Sequence, residues 1–211
     1  MIPDAIEKFI KLASRLPGIG PRQATRLGFF LAHQEKSSLE ELIKSLSEIK
    51  SLKLCAQCFL PHASSNGLCP ICRDPKRDFK IIAIVEKETD LISLEQTKQF
   101  NGRYLVIGDL RKDGVLESEQ RRRLTALKDS LKGDPAKEII LAFSPTTYGD
   151  LNASVIAQEV RAFAEKITRL GRGIPTGGEV EFADDQGRTY AQLALPEHQL
   201  LVLHYQPQQA A

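Results

Sequence analysis

The chain has 211 residues, 42% hydrophobic and 27% charged, a globular composition that excludes a disordered tail or a collagen-like repeat. Its longest apolar run, Ile81–Val85, has five residues and is too short to span a membrane, and because the start of the chain lacks the features of a secretory signal, we expect a cytoplasmic protein. Residues 1–80 carry thirteen Lys and Arg against eight Asp and Glu, and residues 81–211 carry sixteen against nineteen, so the front of the chain suits a polyanionic partner.

The first 54 residues predict three helices with a glycine turn between the first two. Residues 2–16 place apolar side chains at spacings of three and four, as on one face of a helix. Leu16-Pro-Gly-Ile-Gly-Pro-Arg22 then breaks this pattern. Pro21 suits the first turn of a second helix, because an N–H there has no partner within the helix. Ser38 and Glu41 form a capping box that predicts the start of the third helix.

The glycine turn is a candidate site for phosphate. Gly18 and Gly20 allow backbone angles and a close approach that other residues do not, and the start of the second helix exposes N–H groups. Arg22 and Arg26 are four residues apart, share a helical face and can hold flanking phosphates. The alternative is a tight turn whose glycines serve geometry alone. The basic residues favour contact with the DNA backbone, without reading of the base sequence.

All four cysteines lie within residues 55–72 and predict a metal site. Cys55-x-x-Cys58 and Cys69-x-x-Cys72 are separated by ten residues, a spacing that places four thiolates around one structural Zn²⁺ per chain. Two disulfides are disfavoured in a chain without a visible secretory signal, and a redox C-x-x-C normally stands alone. His62 lies between the two pairs, and we interpret it as a solvated loop residue and not as a ligand.

After Lys80 the pattern changes to short apolar runs that alternate with helical stretches, which indicates a parallel sheet with helices on its faces. Arg121-Arg122-Arg123 falls in one of these helices and is typical of a solvated helix face. The predicted strands are Ile81–Val85, Tyr104–Ile107 and Glu138–Phe143, and the predicted helices cover residues 89–99, 117–131 and 151–169. From Arg172 the chain is rich in glycine, and strands are then predicted at Glu179–Phe182, Thr189–Leu195 and Leu200–Tyr205.

Three acidic residues follow the predicted strands. Glu86 comes directly after the first, Asp109 after the second and Asp150 shortly after the third. The carboxyl ends of parallel strands are where open α/β sheets bind ligands, so Glu86 is a candidate Mg²⁺ ligand or general acid/base. Metal-dependent phosphoryl transfer needs two or three converging carboxylates, and Ser144–Thr147 contains none.

The order of these parts resembles the RecR family of bacterial recombination mediators. Leu16–Leu27 is similar to the family's helix-hairpin-helix, Ile84-Val85-Glu86 to the start of its α/β part, and Gly173–Asp184 to its C-terminal signature. The resemblance implies an α+β fold in several parts. These are a helix-hairpin-helix DNA-binding region in residues 1–54, a four-cysteine zinc finger in 55–79, a Toprim-like α/β domain with a parallel sheet in 80–170, and a glycine-rich, strand-forming segment in 171–211.

The resemblance also implies a function: a DNA-binding mediator without enzymatic activity. Members of the family act with RecO and RecF to load recombinase onto gapped single-stranded DNA, and they form dimers or ring-like tetramers. We therefore expect a homo-oligomer that contacts single-stranded or gapped DNA through Arg22 and Arg26, independently of sequence. The alternatives are a Mg²⁺-dependent Toprim nuclease that uses Glu86, Asp109 and Asp150, and an interaction adaptor that has lost DNA binding.

Two stretches depart from the family pattern, and one difference from Toprim enzymes is shared with the family. Toprim enzymes pair the glutamate matched by Glu86 with an Asp-x-Asp, and Ser144-Pro-Thr146 stands in that place here, as is usual in the family. The family usually carries Thr-Val-Glu-Gly-Glu at the partner-binding patch, where this chain has Thr146-Thr-Tyr-Gly-Asp150. Beyond Asp184 the usual helical ending, which exchanges between subunits in the family, is replaced by strand-like residues.

Overall fold

The computed structural model describes residues 2–170 and 202–204. The chain divides into two compact units, Met1–Leu52 and Lys53–Ala211. Within the described residues, no helix is both long enough and apolar enough to cross a membrane.

The first unit consists of three helices. They are α1 (Asp4–Ala13), α2 (Pro21–Ala32) and α3 (Lys36–Ser51). α1 packs against α2, and Gly28 permits the close contact: a Cβ there would lie 3.1 Å from Ile6 and 3.3 Å from Phe9. Pro21 opens α2 as predicted.

The predicted start of α3 is wrong by three residues. The helix begins at Lys36, and Glu35 precedes it with extended backbone angles. The N–H of Leu39 donates to the carbonyl of Glu35 at 3.2 Å, which already closes the first helical turn. Ser38 therefore lies inside the first turn and does not cap the helix, because the first carbonyl that accepts a helical hydrogen bond belongs to Glu35.

Within the described residues, the second unit is built on a five-stranded sheet. It opens with a two-stranded hairpin and a short helix, and in the same part of the chain three further helices and a 3₁₀ turn connect the first four strands of the sheet. The hairpin is β1 (Lys53–Leu54) with β2 (Pro61–His62), and α4 is Pro70–Arg73. The sheet strands are β3 (Asp78–Val85), β4 (Gly102–Val106), β5 (Ala136–Ala142), β6 (Ala164–Leu170) and β7 (Val202–His204). The connecting elements are α5 (Glu88–Gln96), α6 (Ser118–Ser130), α7 (Thr147–Val160) and the 3₁₀ turn Arg161–Phe163.

The strand order of the sheet is β4-β3-β5-β6-β7, with the first four strands parallel and β7 antiparallel to β6. Side chains of the parallel strands alternate between the two faces of the sheet, so these strands contribute to two cores. Ile84, Leu105 and Leu141 pack with α6 and α7 on one face. Val85 and Val106 pack with α5 and the four cysteines on the other. The predicted α+β architecture with a parallel sheet is confirmed.

The long helix predicted over residues 151–169 is wrong in its second half. α7 ends at Val160, and β6 follows after a short 3₁₀ turn. β6 pairs with β5 in register Ile139↔Ile167, and the buried hydroxyl of Thr168 donates to Glu138 at 2.8 Å. The helical spacing of apolar residues continues into Ala164–Leu170, which is why the sequence predicts a helix there. The β-branched residues of this stretch nevertheless suit a strand that pairs with β5 and β7.

At the C-terminus, β7 confirms a strand within the predicted Leu200–Tyr205. The strands predicted at Glu179–Phe182 and Thr189–Leu195 lie outside the described residues, as do the glycine-rich stretch from Arg172 and the signature Gly173–Asp184.

Candidate nucleic-acid interface and metal centre

The turn between α1 and α2 is open to solvent. Its central residues are Pro17 and Gly18, and the N–H of Ile19 donates to the carbonyl of Leu16 at 3.2 Å to close it. Gly18 has a φ of +76°, a value that this turn requires and that favours glycine. A Cβ at Gly18 or at Gly20 would meet nothing within 4 Å. The loop therefore leaves room for a ligand against its backbone.

The start of α2 presents backbone donors beside this loop. Gly20 precedes the helix, and its N–H donates to Oε1 of Gln23 at 3.1 Å. The first bond that closes the helix runs from the N–H of Ala24 to the carbonyl of Gly20, at 2.9 Å. The N–H groups of Arg22 and Gln23 precede that bond and point out of the helix end, where an anion is favoured by hydrogen bonding and by the helix dipole.

Arg22 and Arg26 complete the hairpin surface. Both side chains lie on α2, one turn apart, and both are exposed. Neither makes a hydrogen bond or an ion pair with another described residue. Guanidinium groups without a partner in the described chain are free to neutralise phosphates, and the open backbone of the turn lies beside them. This arrangement can hold a phosphate backbone.

The four cysteines form one compact buried group. The Sγ atoms of Cys55, Cys58, Cys69 and Cys72 all lie within 4.8 Å of one another. Cys58 Sγ and Cys69 Sγ are 3.5 Å apart, close to the ~3.8 Å edge that Zn–S bonds of about 2.3 Å give a tetrahedron. All four are free cysteines, so the disulfide alternative is not formed. No other group of three or more His, Cys, Asp or Glu in the described part of the chain is arranged to hold a metal ion.

Backbone hydrogen bonds and burial shift the pKa values of three of these thiols in different directions. Burial raises the pKa of Cys69 to about 11. Burial also opposes ionisation of Cys55, but N–H groups of Cys58, Cys69 and Gln57 outweigh it and lower the pKa of that thiol to about 7. A hydrogen bond with Cys72 and burial raise the pKa of Cys58. Several adjacent thiolates are therefore unfavourable without a cation, and a divalent metal that displaces the protons removes that penalty.

His62 is not the solvated residue that the sequence predicts. It lies in β2, paired with Lys53 across the hairpin, and is 6% exposed. Its Nδ1 accepts the N–H of Ser64 at 3.0 Å, and its Nε2 is buried without a partner among the described residues. It does not belong to the group that the cysteines form. The interpretation of His62 as a non-ligand therefore agrees with the geometry, while its predicted exposure was wrong because the short hairpin turns it inward.

The three acidic residues after the strands are not brought together as a metal site. Glu86 accepts the N–H of Leu110 at 3.2 Å. Asp109 is exposed and lies 3.5 Å from Nζ of Lys87. Asp150 accepts a hydrogen bond from Arg169 on β6. Within the described residues these carboxylates do not form a group that could hold a metal ion, and each has a cation or an N–H nearby that competes with a metal.

Glu86→Ala tests whether this glutamate positions a loop or performs chemistry. We expect the free energy of unfolding to fall by about 1 kcal/mol, because the N–H of Leu110 loses its acceptor. DNA affinity should stay unchanged. Urea denaturation and a DNA-binding titration measure the two effects, and Asp109→Ala, at an exposed carboxylate, is the control that should leave stability unchanged. Mg²⁺-dependent strand cleavage that disappears in Glu86→Ala would instead favour the nuclease alternative.

The patch Thr146–Asp150 lies at the start of α7. Thr146 caps the helix by accepting the N–H of Gly149 at 3.1 Å. Gly149 is required here, because a Cβ would lie 2.1 Å from the carbonyl oxygen of Ser144. Tyr148 is half exposed, and Nζ of Lys112 lies 5.7 Å from the centre of its ring. The patch therefore presents an aromatic side chain to solvent beside a cation.

Sequence reasoning missed the role of the arginines in α6. Arg121 and Arg122 are exposed, as predicted for a solvated helix face, but the side chain of Arg123 is largely buried. The guanidiniums of Arg122 and Arg123 lie 5.3 and 5.1 Å from the ring centre of Phe59, next to a cysteine. Both also bond Glu119, at 2.8 and 3.0 Å, and these hydrogen bonds lower the pKa of that carboxyl to about 2. The spacing of Glu119 three and four residues before the arginines was a visible signal for the ion pairs. The contact with Phe59 was not visible, because it joins distant parts of the chain.

Two family models match the chain. The model described as "RecR, helix-hairpin-helix" matches residues 6–50, and the Toprim domain model matches residues 80–171. These matches cover the helical hairpin of the first unit and the parallel sheet of the second.

Curated proteins are similar over most of the chain. Recombination protein RecR of Rubrobacter xylanophilus is 36% identical over 192 residues, 89% of this chain and 94% of that protein. Its counterpart in Bifidobacterium longum is 33% identical over 182 residues, 86% of this chain and 90% of that protein. The one in Gloeobacter violaceus is 34% identical over 181 residues, with coverage of 85% and 91%. With the hairpin, the cysteine group and the sheet in the same order along the chain, this similarity shows that the protein belongs to the RecR family.

Proposed function

We propose that the protein is a DNA-binding mediator of recombinational repair. It binds single-stranded or gapped DNA without sequence preference and acts with RecO- and RecF-like partners to load recombinase at single-stranded gaps. The observation that carries this proposal is the open glycine turn beside Arg22 and Arg26, which have no partner among the described residues, in a chain of the RecR family. A hairpin built in this way suits phosphates and not bases, as a mediator that acts at any gap requires. This role places the protein in the cytoplasm.

The cysteine group holds one structural Zn²⁺ in this proposal. Four thiolates around one ion leave no open position for water or substrate, so the metal stabilises the fold and takes no part in chemistry. The spacing of the sulfur atoms and their burial support zinc over a redox pair. In this proposal, residues 1–54 form the helix-hairpin-helix region, 55–79 the zinc finger and 80–170 the Toprim-like domain.

The protein acts without catalysis in this proposal. Two-metal phosphoryl transfer needs carboxylates that clamp both the attacking and the leaving oxygen. Glu86 is engaged with a backbone N–H, Asp109 lies beside Lys87, and Asp150 bonds Arg169. A nuclease would have to break all three interactions to assemble its metal site, so the nuclease remains the weaker alternative.

Self-association is part of the proposed function. In the first unit, α3 exposes a stripe of large apolar side chains that includes Ile43, Leu46 and Ile49. We propose that a second copy of the chain covers this stripe in a dimer or tetramer. Sedimentation velocity over a range of concentrations should show one oligomer, and Leu46→Glu should dissociate it. A monomer at all concentrations would contradict this part of the proposal.

Partner proteins have a separate candidate surface. We propose that a RecO- or RecF-like protein contacts Thr146–Asp150 around the exposed ring of Tyr148. This placement follows the position of the patch in the family, and the exposed aromatic side chain supports it, since tyrosine is enriched at protein interfaces.

The experiment that tests the mediator role measures recombinase assembly on gapped DNA coated with single-strand-binding protein. Adding this protein together with RecO- and RecF-like partners should shorten the lag before the filament forms. Arg22→Ala with Arg26→Ala should restore most of the lag. An unchanged lag with the unaltered protein, under conditions where it binds the same DNA, would overturn the mediator role while leaving DNA binding intact.

A further inference from the structure

The residue after the second cysteine ties the metal site to the sheet. Phe59 follows Cys58 directly, is 5% exposed and packs into the core that α6 and α7 cover. Its φ is +63°, a left-handed conformation that costs free energy in a residue with a bulky side chain. The N–H of Phe59 donates to the carbonyl of Cys55 at 3.0 Å. Surrounding contacts must therefore hold this turn in place.

A hydrogen-bonded bridge runs from the same turn to α6. The N–H of Val106, on the edge strand β4, donates to the carbonyl of Cys58 at 2.9 Å. The carbonyl of Val106 in turn accepts Nη1 of Arg123 at 2.9 Å. One residue of β4 thus connects a cysteine backbone to an arginine that lies far away in sequence.

Arg123 also contacts Phe59 directly. Its guanidinium lies 5.1 Å from the ring centre, and Nε donates to Glu119 at 3.0 Å. Its side chain is 11% exposed, against 59% for the neighbouring Arg122. A cation over an aromatic face is worth more when water is largely excluded. Arg123 is therefore expected to stabilise this turn more than Arg122 does.

Arg121 and Lys128 lie on the same helix but interact elsewhere. Nε of Arg121 donates to the carbonyl of Leu116 at 2.9 Å. Nζ of Lys128 donates to Glu159 on α7 at 2.8 Å. Neither contact involves the metal site. Substitution of Arg121 or Lys128 therefore distinguishes a general loosening of α6 from a specific effect on the cysteines.

We propose that Arg123 is a positioning residue for the metal site, which slows the release of zinc by keeping the Cys55–Cys58 half of the site closed. It acts through the carbonyl of Val106 and the ring of Phe59, and it touches no metal ligand side chain. When this hold is lost, the strained turn relaxes and Cys58 moves away from the other thiolates. The inference rests on the zinc proposed above.

The experiment measures zinc release from the full chain into an excess of a colorimetric chelator. Zinc content of the unaltered protein is determined first. Arg123→Gln should release zinc about tenfold faster, the range seen when groups that support metal ligands are removed. Arg121→Gln and Lys128→Gln should stay within about twofold of the unaltered rate, as is usual for surface changes. Arg122→Gln should have a smaller effect than Arg123→Gln.

Two further measurements keep the outcome decisive. Arg123→Lys retains the charge and serves as the test if Arg123→Gln does not fold. Circular dichroism should show that Arg123→Lys is folded. It should still release zinc faster than the unaltered protein, because an ammonium does not reproduce the guanidinium contacts. Hydrogen exchange at the Val106 amide should quicken in Arg123→Gln. Release at the unaltered rate from a folded Arg123 variant, or equally fast release from Lys128→Gln, overturns the inference alone. A chain purified without zinc overturns the zinc proposal and the inference with it.

Discussion

Replacing both Arg22 and Arg26 with alanine should abolish most DNA binding at moderate salt. Each phosphate contact contributes roughly 0.9 to the slope of log affinity against log salt on duplex DNA, so the slope should flatten by about two units for each subunit that touches DNA. The fold should survive, because both side chains are exposed and lack partners among the described residues. Fluorescence anisotropy with labelled DNA at several salt concentrations measures both affinity and slope.

Two matched variants make this result specific. Lysine at both positions should retain most binding, since a point charge still neutralises phosphate. Lys8→Ala with Lys36→Ala removes the same net charge from exposed positions of the same unit and should change the slope little. If the double alanine variant at Arg22 and Arg26 kept the affinity and slope of the unaltered protein, the hairpin would be only a structural turn.

Cys58→Ser should remove zinc and destabilise much of the second unit. A tetrathiolate site contributes on the order of 10 kcal/mol to the folding of its segment, and one missing thiolate forfeits a large part of that. From the sequence, the loosening is expected in residues 50–80, with the α/β segment largely folded. The structure extends it to β4 and α6, because the carbonyl of Cys58 and the ring of Phe59 contact both.

Metal analysis and hydrogen exchange measure these effects together. The unaltered chain should hold one zinc ion, and Cys58→Ser well under half an ion. Exchange should quicken at the Val106 amide as well as in the cysteine segment. Gln57→Ala, at an exposed neighbour, should keep the metal and normal exchange. A Cys58→Ser protein with full zinc content would contradict the ligand assignment.

Local patterns in the sequence predicted the parts of the molecule that short stretches determine. The turn at Gly18 and the start of α2 at Pro21 depend on a few adjacent residues, and both are confirmed. The two C-x-x-C pairs also meet as predicted, because their spacing leaves few other ways to bury four thiols. Strands β3, β4 and β5 were visible as apolar runs because they are buried on both faces of the sheet.

Features that depend on distant partners could not be predicted. β6 continues the apolar spacing of α7 and becomes a strand only because β5 offers it an edge. Arg123 was interpreted as solvated, since nothing near it in sequence indicates that Phe59 lies beneath it. Glu86 was placed correctly at a strand end, but its N–H partner comes from a loop 24 residues later. Tertiary contacts decide each of these cases.

Measuring DNA binding and DNA cleavage in one reaction, with and without Mg²⁺, distinguishes a DNA-binding mediator from a nuclease most directly. Zinc-loaded protein is titrated into gapped DNA of two unrelated sequences, and the strands are then resolved by length. We expect equal affinity for both sequences, steep loss of binding with salt, no dependence on Mg²⁺ beyond its ionic strength, and strands of unchanged length. Failure to bind either DNA at low salt, or Mg²⁺-dependent shortening of the strands, would contradict the proposed function.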